Sequence, residues 1–212
     1  MRILLTIAIA MSIGAVATIA NAQSLQFTGM QLGNPNSGVV SLNGNNENVY
    51  MGALTFTDGV DSIVTYCADL SSPLNGNYNS YSVGLVDQGD GSGLARAARI
   101  LAASFLDATD PDKQQGLQLA IWEALYDNGS SFDYTSGHLQ ITSGVGVNAL
   151  ADAALYYAAP LPNTPSSDVL LYHALGAGGQ SQIQPVPEPA SVLVLSLGLI
   201  AFARRRQVKK SP

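Results

Sequence analysis

The stretch SIVTYCADL, residues 62 to 70, holds the single cysteine of this chain, Cys67. Its β-branched and aromatic residues predict a short strand, and the alternation of a strand puts Tyr66 and Cys67 on opposite faces. The pattern therefore leaves Cys67 free to face away from the core. A lone thiol in a strand raises the question of whether it is a packing residue or a reactive one.

Other runs of the same composition predict strands around it, separated by turn clusters such as GNPNSG, NGNNEN, TDGVD and SPLNGN. These runs are LQFTGMQL (25–32), NVYMGALTF (48–56), YNSYSVGLV (78–86) and, much later, DVLLYHAL (168–175). Their short length and close spacing favour antiparallel pairing. The stretch 176–184 is rich in Gly and Gln, which is typical of a linker.

The hydrophobic period changes to that of a helix after Ser92, a typical N-cap residue. Asp110-Pro111 predicts the start of a second helix over 111–126, and a third runs over 147–157 until Pro160 ends it. The sequence thus predicts an α+β fold. Its antiparallel β part resembles a sandwich or barrel, with an inserted helical subdomain of two to three helices.

The second predicted helix contains LQLAIWEAL, residues 117 to 125, in which Gln118 falls on the apolar face beside Ile121 and Trp122. At about 100° per residue, these three side chains project in similar directions. An amide in such a place needs a hydrogen-bonding or covalent partner. Gln118 is therefore the second candidate functional residue.

Both ends of the chain predict export. Residues 1–22 combine Arg2, an apolar run and Ala20-Asn21-Ala22, which is typical of a cleaved signal peptide. Residues 185–212 contain a proline-rich hinge, an apolar run over 190–203 and a basic cluster, which predict a single transmembrane sorting helix.

This tail resembles the PEP-CTERM sorting signal, on the strength of Pro187-Glu188-Pro189, the apolar run and Arg204-Arg205-Arg206. The resemblance implies recognition by a membrane-embedded exosortase of a Gram-negative bacterium, after export and cleavage by signal peptidase. It also implies a transient stay in the inner membrane and delivery to the cell surface or extracellular matrix.

Residues 23–184 form the single expected domain, long enough for a sizeable core. It keeps only three of the nine basic residues, Arg96, Arg99 and Lys113, but fourteen of the fifteen acidic ones. So acidic a surface argues against nucleic acid and against anionic lipid headgroups as partners.

Cys67 and Gln118 together have the groups that an internal thioester requires. The cysteine sulfur attacks the glutamine carbonyl, ammonia leaves, and apolar neighbours keep water from the product. The expected neighbours are Tyr66, Ile121 and Trp122. This chemistry needs no metal and no cofactor.

The segment 66–126 resembles the thioester domains of bacterial surface adhesins, through Tyr66-Cys67 and the block from Gln118 to Trp122. The helix-forming tract from Gly93 to Leu101 matches the helix before that block. The resemblance implies covalent attachment to a partner's amine or hydroxyl, as an adhesin or matrix crosslinker. Such a protein reacts once per molecule and is not a turnover enzyme.

Several alternatives remain open. Cys67 and Gln118 could be an inert core pair in a structural or carbohydrate-binding matrix protein, and Gln114, one turn earlier, is a second possible acyl donor. A cysteine hydrolase would pair Cys67 with His138 or His173. The loop DQGDGSG (87–93) suggests calcium, although a solvated turn explains it better. The candidate proton carriers are Asp69, Glu123 and Asp127.

Overall fold

The computed structural model describes residues 21–32, 36–161, 168–176 and 179–186. In these residues no helix has both the length and the apolar character needed to cross a bilayer. Most of the predicted signal peptide and the predicted sorting helix at 190–203 lie outside them.

The described residues contain nine strands and three helices. In chain order they are β1 (Asn21–Met30), β2 (Ser37–Leu42), β3 (Asn45–Tyr50), β4 (Leu54–Thr57), β5 (Ser62–Cys67), β6 (Tyr78–Leu85), α1 (Gly93–Ser104), α2 (Pro111–Tyr126), β7 (Leu139–Ser143), α3 (Val147–Ala158), β8 (Val169–Ala174) and β9 (Gln182–Pro185).

Six of the strands close an antiparallel barrel in the order β1-β4-β5-β9-β8-β6. The three helices and β7 lie in the chain between β6 and β8. The prediction of an antiparallel, barrel-like β part with inserted helices is thus confirmed. Because the barrel is closed, each of these six strands pairs with a neighbour on both sides over at least part of its length.

A second, three-stranded sheet has the order β3-β2-β7, and the sequence did not predict it. The cluster NGNNEN was expected to be a turn, but only Asn43 and Gly44 turn, both with positive φ (53° and 84°). Positive φ at two successive residues is the geometry of a tight β-hairpin turn. The asparagine-rich residues that follow pair with β2, and their polar side chains face solvent, so their composition disguises the strand.

Strand β9 corrects a second expectation, because part of the segment predicted as a linker belongs to the barrel. Its Ile183 pairs with Tyr66 of β5, and its Gln182 pairs with both Cys67 and Tyr172. After the strand, the N–H of Val186 donates to the carbonyl of Asp168 at 2.8 Å. The polar composition of this stretch hides a strand that lies between β5 and β8.

The predicted helix starts are confirmed. The Ser92 side chain accepts from the N–H of Ala95 at 3.0 Å, and that of Asp110 accepts from Lys113 at 2.9 Å. In the loop before α1, Asp87 and Asp90 accept hydrogen bonds from their own loop's backbone, as a solvated turn does.

Helix α2 is central to the domain, since every residue from Gln114 to Ala124 is buried. It packs against both α1 and α3 and against the barrel. The sequence predicts an amphipathic helix with one apolar face against the core. In the structure, protein covers all faces of the helix between Gln114 and Ala124.

Strand β5 separates two apolar clusters. Tyr66 packs with α1 and with Ile121 of α2, whereas Cys67 packs with barrel residues such as Phe56 and with Trp122. The predicted alternation holds, but the expectation that Cys67 could face away from the core is wrong. Its side chain is 1% exposed, because both faces of the strand are covered.

Gly116 permits the close contact between α2 and α3. A Cβ atom there would lie 2.8 Å from the carbonyl oxygen of Ala149 and 2.9 Å from the backbone nitrogen of Ala153. We expect Gly116→Ala to lower the free energy of unfolding by about 1–3 kcal/mol, because two packed helices must separate. Urea denaturation measures this loss. Gly76→Ala, where a Cβ meets nothing within 4 Å, is the control and should change stability by under about 0.5 kcal/mol.

Candidate functional site

Gln118 and Cys67, the two residues predicted to react, are in direct contact. The Cys67 N–H donates to Gln118 Oε1 at 2.9 Å, and Gln118 Nε2 donates to the Cys67 carbonyl at 2.9 Å. Gln118 is 0% exposed. The amide that the sulfur would attack is therefore fixed against the backbone of the residue that carries the sulfur, in a site closed to water.

The local structure explains why an amide is needed at this point. Pairing between β4 and β5 ends at Leu54 and Thr65, two residues before Cys67. On the side that β4 has left, the Cys67 N–H donates to Gln118 of α2 and the Cys67 carbonyl accepts from it, while β9 pairs with Cys67 on the other side. A buried peptide group left unpaired would cost about 1–3 kcal/mol, so the amide also holds the helix to the barrel.

The sulfur of Cys67 lies in a short local turn. Cys67 Sγ donates to the Asp69 carbonyl at 3.2 Å, and the Asp69 N–H points back to the sulfur at 3.4 Å. Burial raises the pKa of the Cys67 thiol to about 12, although the Asp69 N–H and the Trp122 side chain act to lower it. The thiol therefore carries its proton at neutral pH and is protected from unspecific chemistry.

Trp122 lies one helical turn after Gln118 and is 0% exposed. Its indole N–H makes no hydrogen bond with any described residue. The indole acts to lower the pKa of the Cys67 thiol, against the larger opposing effect of burial. Trp122 also excludes water from the sulfur, because it is fully buried in the same apolar cluster.

The other two predicted neighbours lie on the opposite side of β5 from the sulfur. Tyr66 stacks edge-on against Phe105, with ring centroids 6.4 Å apart, and Ile121 belongs to the same helical cluster. They fix the strand and the helix that carry the site. Trp122 and Leu119 share the apolar cluster of the cysteine.

Tyr126 is a residue of the site that the sequence analysis missed. Its hydroxyl accepts from the N–H of Leu70 at 2.7 Å and so fixes the turn that follows Cys67. Burial raises the pKa of Tyr126 to about 12, which keeps it neutral. Tyr126 follows Trp122 by four residues and Gln118 by eight, so the three side chains lie on one stripe of the helix. This spacing could have predicted Tyr126 as a residue of the site.

Of the three candidate proton carriers, only Asp69 lies beside Cys67. Partial burial acts to raise its pKa, but hydrogen bonds from Ser71 and Ser72 outweigh burial and the net pKa is lowered. Glu123 instead accepts from the N–H of Asp133 at 3.2 Å.

Asp127, the third candidate, accepts from the N–H groups of His138 and Leu139 and so anchors the 128–138 loop. It has no hydrogen bond to Cys67. Its position therefore indicates a structural role for this carboxylate.

The alternative partners of Cys67 are engaged elsewhere. His138 is exposed and contacts Asp127 at 3.1 Å, and His173 lies 3.4 Å from Ser181 Oγ. Gln114 donates to Gln31 at 2.9 Å. Within the part of the chain that the structure describes, no histidine bonds to Cys67, as a hydrolase would require.

A surface cleft of about 310 Å³ is lined partly by Trp122 and Leu70, but neither Cys67 nor Gln118 lines it. Its outer wall comes from β3 and includes the acidic side chain of Glu47 and the half-exposed ring of Tyr50. The 71–74 loop forms the other wall.

No group of three or more His, Cys, Asp or Glu side chains suited to a metal ion occurs in the described ranges.

Comparison with known proteins identifies the tail. Residues 185–207 match the PEP-CTERM protein-sorting motif, and this confirms the predicted sorting signal. The matched range includes Pro187, Glu188, Pro189 and Arg204–Arg206, all of which lie outside the described residues. The motif implies an exported protein, processed by an exosortase, with a membrane-anchoring C-terminal signal.

Among solved structures, the chain is similar to the N-terminal thioester domain of a surface protein from Clostridium perfringens. The TM-score is 0.46 and the identity 12%, over 77% of this chain and 100% of that chain. No curated protein gives a significant match. At this level of similarity the match carries no argument about the chemistry of the site, which is therefore argued from the side chains of this chain alone.

The hydrogen bonds of Gln118 should be measurable as stability. In a Cys67→Ala background, where no thioester can form, we expect Gln118→Leu to cost about 1–3 kcal/mol for each backbone group it leaves unpaired. Urea denaturation measures the loss. Gln140→Leu, which removes a partly exposed amide with a weak 3.4 Å contact, should change stability by under about 0.5 kcal/mol.

Burial raises the pKa of Glu123 from 4.5 to about 7, assisted by the charges of Asp127 and Asp133 and opposed by the Asp133 N–H and by Arg96. The folded state keeps this proton where the unfolded chain releases it, so stability falls as pH rises from about 4.5 to 7. We expect Glu123→Gln to remove this fall and to stabilise the domain at pH 8 by up to about 3 kcal/mol.

Urea titrations at acidic, neutral and alkaline pH measure the effect. The exposed Glu47→Gln change is the control and should leave the profile of the parent protein intact. A Glu123→Gln difference that is the same at every pH would contradict the raised pKa.

Proposed function

We propose that the described domain is a covalent attachment module, in which Cys67 and Gln118 form an internal thioester. The observation that supports this most directly is the double hydrogen bond between the Gln118 amide and the Cys67 backbone in a fully buried site. The sorting motif implies that the protein is exported, so such a module could meet partners outside the cytoplasm.

The thioester forms by one balanced step. The Cys67 sulfur bonds to the Gln118 side-chain carbonyl carbon, the carbon–nitrogen bond breaks, and the thiol proton leaves with the amide nitrogen as ammonia. The Cys67 N–H already donates to the carbonyl oxygen, and the negative charge that develops there strengthens this bond. The step needs no oxidant and no cofactor.

The stored bond reacts once with a partner. An amine or hydroxyl attacks the thioester carbon, an amide or ester to Gln118 forms, and the sulfur leaves and regains a proton. The Asp69 N–H and the Trp122 side chain stabilise the departing sulfur, which burial alone would make a poor leaving group. The nucleophile enters through the cleft beside Trp122, and the side chains that separate this cleft from the pair have to move, because neither Cys67 nor Gln118 lines it.

The biological setting follows from the chemistry and the sorting motif together. A protein exported by an exosortase and bearing a single-use electrophile is suited to adhesion or to matrix crosslinking at the surface of a Gram-negative cell. Because each molecule reacts once, the protein is consumed and does not turn over substrate.

Intact mass spectrometry of the purified domain tests the proposal. We expect a mass lower than that of the sequence by one ammonia. Cys67→Ala and Gln118→Glu should both give full masses, since the first lacks the sulfur and the second has no amide nitrogen to lose. Incubation with methylamine should then add one molecule, which peptide mapping places on Gln118.

Two other outcomes would favour a different function for the domain. The full sequence mass in fresh, folded protein that takes up no methylamine would favour a structural or carbohydrate-binding matrix protein, with Gln118 as a core amide. Repeated cleavage of a small ester by one molecule would favour a cysteine hydrolase. A thioester domain gives at most one event per chain.

A further inference from the structure

The three-stranded sheet has two edges, and the described part of the chain covers only one of them. At the β7 edge, the N–H of Ile141 donates to the carbonyl of Tyr134 at 2.9 Å, so the 128–138 loop occupies part of that side. At the other edge, β3 pairs with β2 along its whole length. Within the described residues no strand pairs with the outer side of β3 and no loop bonds to it.

The hairpin turn shows which backbone groups face outward at this edge. Leu42 and Asn45 flank the two-residue turn, and residues in this position form a hydrogen-bonded pair. Bonded and non-bonded pairs alternate along an antiparallel ladder, so every second residue of β3 after Asn45 bonds to β2. Beyond the strand, the Met51 N–H donates to the Asn36 carbonyl at 2.7 Å, as this alternation requires. The N–H and carbonyl groups that point away from β2, here called the free edge, belong to Asn46, Asn48 and Tyr50.

The free edge has none of the usual features that prevent strand addition. Natural edge strands avoid pairing with other chains through lysine, proline or a β-bulge. Strand β3 contains no lysine and no proline, and its register with β2 has no shift. By contrast, the register of β2 with β7 shifts between Val39 and Val40. Strand β3 thus keeps the regular geometry that pairing with a further strand requires.

The free edge borders the cleft beside Trp122. Asn48 and Tyr50 line this cleft from the β3 side, and the 71–74 loop lines it from the other. An added strand would lie about 4.8 Å from β3 and would therefore run along the cleft. The buried residues among those that line the cleft are apolar or aromatic: Leu54, Leu70 and Trp122.

We propose that the free edge binds an extended segment of another polypeptide, which adds to the sheet as a fourth strand beside β3. The main chain of the segment supplies the missing hydrogen bonds, and its side chains alternate between the two faces of the sheet. Glu47 and Val49 lie on the same face of β3, and both line the cleft. The segment that fits best has a basic residue opposite Glu47 and an apolar residue two positions away, opposite Val49.

A second copy of this chain is a poor occupant of the free edge. Among the described residues that line the cleft, Glu47 alone is charged, and β3 itself carries no positive charge. Two β3 strands paired edge to edge would bring acidic side chains, but no basic ones, into the new sheet. The domain repeats this imbalance, with fourteen acidic and three basic residues between 23 and 184. Charge thus favours a basic segment of a different protein.

This docking surface does not require the thioester. Neither Cys67 nor Gln118 lines the cleft or belongs to β3, so the segment should bind equally well to Cys67→Ala. In the proposed function the nucleophile enters through the same cleft, and a docked segment would lie at its entrance. Docking and thioester formation can therefore be tested separately.

Hydrogen exchange of single backbone amides, followed by NMR on the whole domain with Cys67→Ala, tests the proposal. In the free domain, the amides of Asn46, Asn48 and Tyr50 should exchange at least about tenfold faster than those of Glu47 and Val49, which bond to β2. The probe is a short capped peptide in which threonine alternates with valine, lysine and valine. At about ten times its Kd, this peptide should slow exchange at the three outward amides by about tenfold.

Methylated peptides distinguish strand addition from other contacts. N-methyl groups on alternate residues remove the hydrogen bonds of one edge of the peptide and leave the other edge intact. One of the two alternately methylated peptides should therefore bind about tenfold or more weakly, whereas the other should bind like the parent peptide. Exchange of the lysine for glutamate should also weaken binding, and Glu47→Gln should reduce the difference between these two peptides.

Matched variants of the domain place the added strand at β3. Asn48→Pro removes an outward N–H without breaking a bond to β2, and proline is tolerated on an edge strand in this position. It should weaken binding by about tenfold or more, whereas Asn48→Thr, which keeps the N–H, should bind like the parent domain. The methylated peptides decide the matter even where Asn48→Pro fails to fold.

Three results would overturn the proposal: no slowing at the outward amides with about 5 mM peptide, equal binding of the two methylated peptides, or equal binding to folded Asn48→Pro and Asn48→Thr. Association of the domain with itself that slows the same amides without peptide would overturn the choice of partner and assign the edge to a second copy. A full sequence mass for the parent domain would leave this proposal standing and overturn only the thioester.

Discussion

The hydrogen-bonded contact between the Gln118 amide and the Cys67 backbone is the constraint on which the rest of the domain depends. It joins the central helix to a strand at the point where that strand has lost its neighbour β4. Since α2 is buried from Gln114 to Ala124 and packs against both other helices, this contact helps to fix the position of the helical part on the barrel, together with the apolar packing of Leu119 and Trp122. The same contact holds the Gln118 amide against the backbone of the residue that carries the thiol, so the interaction that joins helix and barrel is also the one on which the proposed thioester depends.

The elements that could be predicted are those whose signal is local. Ser92 and Asp110 cap helices through their own side chains, and β5 and β6 are rich in β-branched and aromatic residues. Strands β3 and β9 could not be predicted in this way, because their asparagines and glutamines have weak intrinsic preference for strands. They are strands because of their partners: a hairpin turn sets β3 beside β2, and β9 fills the place between β5 and β8.

The same distinction applies to the sites. The sequence predicts Cys67 and Gln118 as site residues, because one is the single cysteine of the chain and the other is an amide on an apolar helix face. It does not show that Asp69, rather than Glu123, lies beside the sulfur, since only the folded turn after β5 decides this.

The end of the barrel places a mechanical limit on maturation. Strand β9 includes Pro185, and Val186 is still bonded to the body of the domain, so the tripeptide at 187–189 follows with no intervening spacer. A residue advances the chain by at most about 3.6 Å, which is less than the width of one strand spacing. A cut within β9 would remove the strand that lies between β5 and β8 and open the barrel. Processing that keeps the barrel closed therefore has to leave the chain intact through Pro185, even though the matched sorting motif begins at that residue.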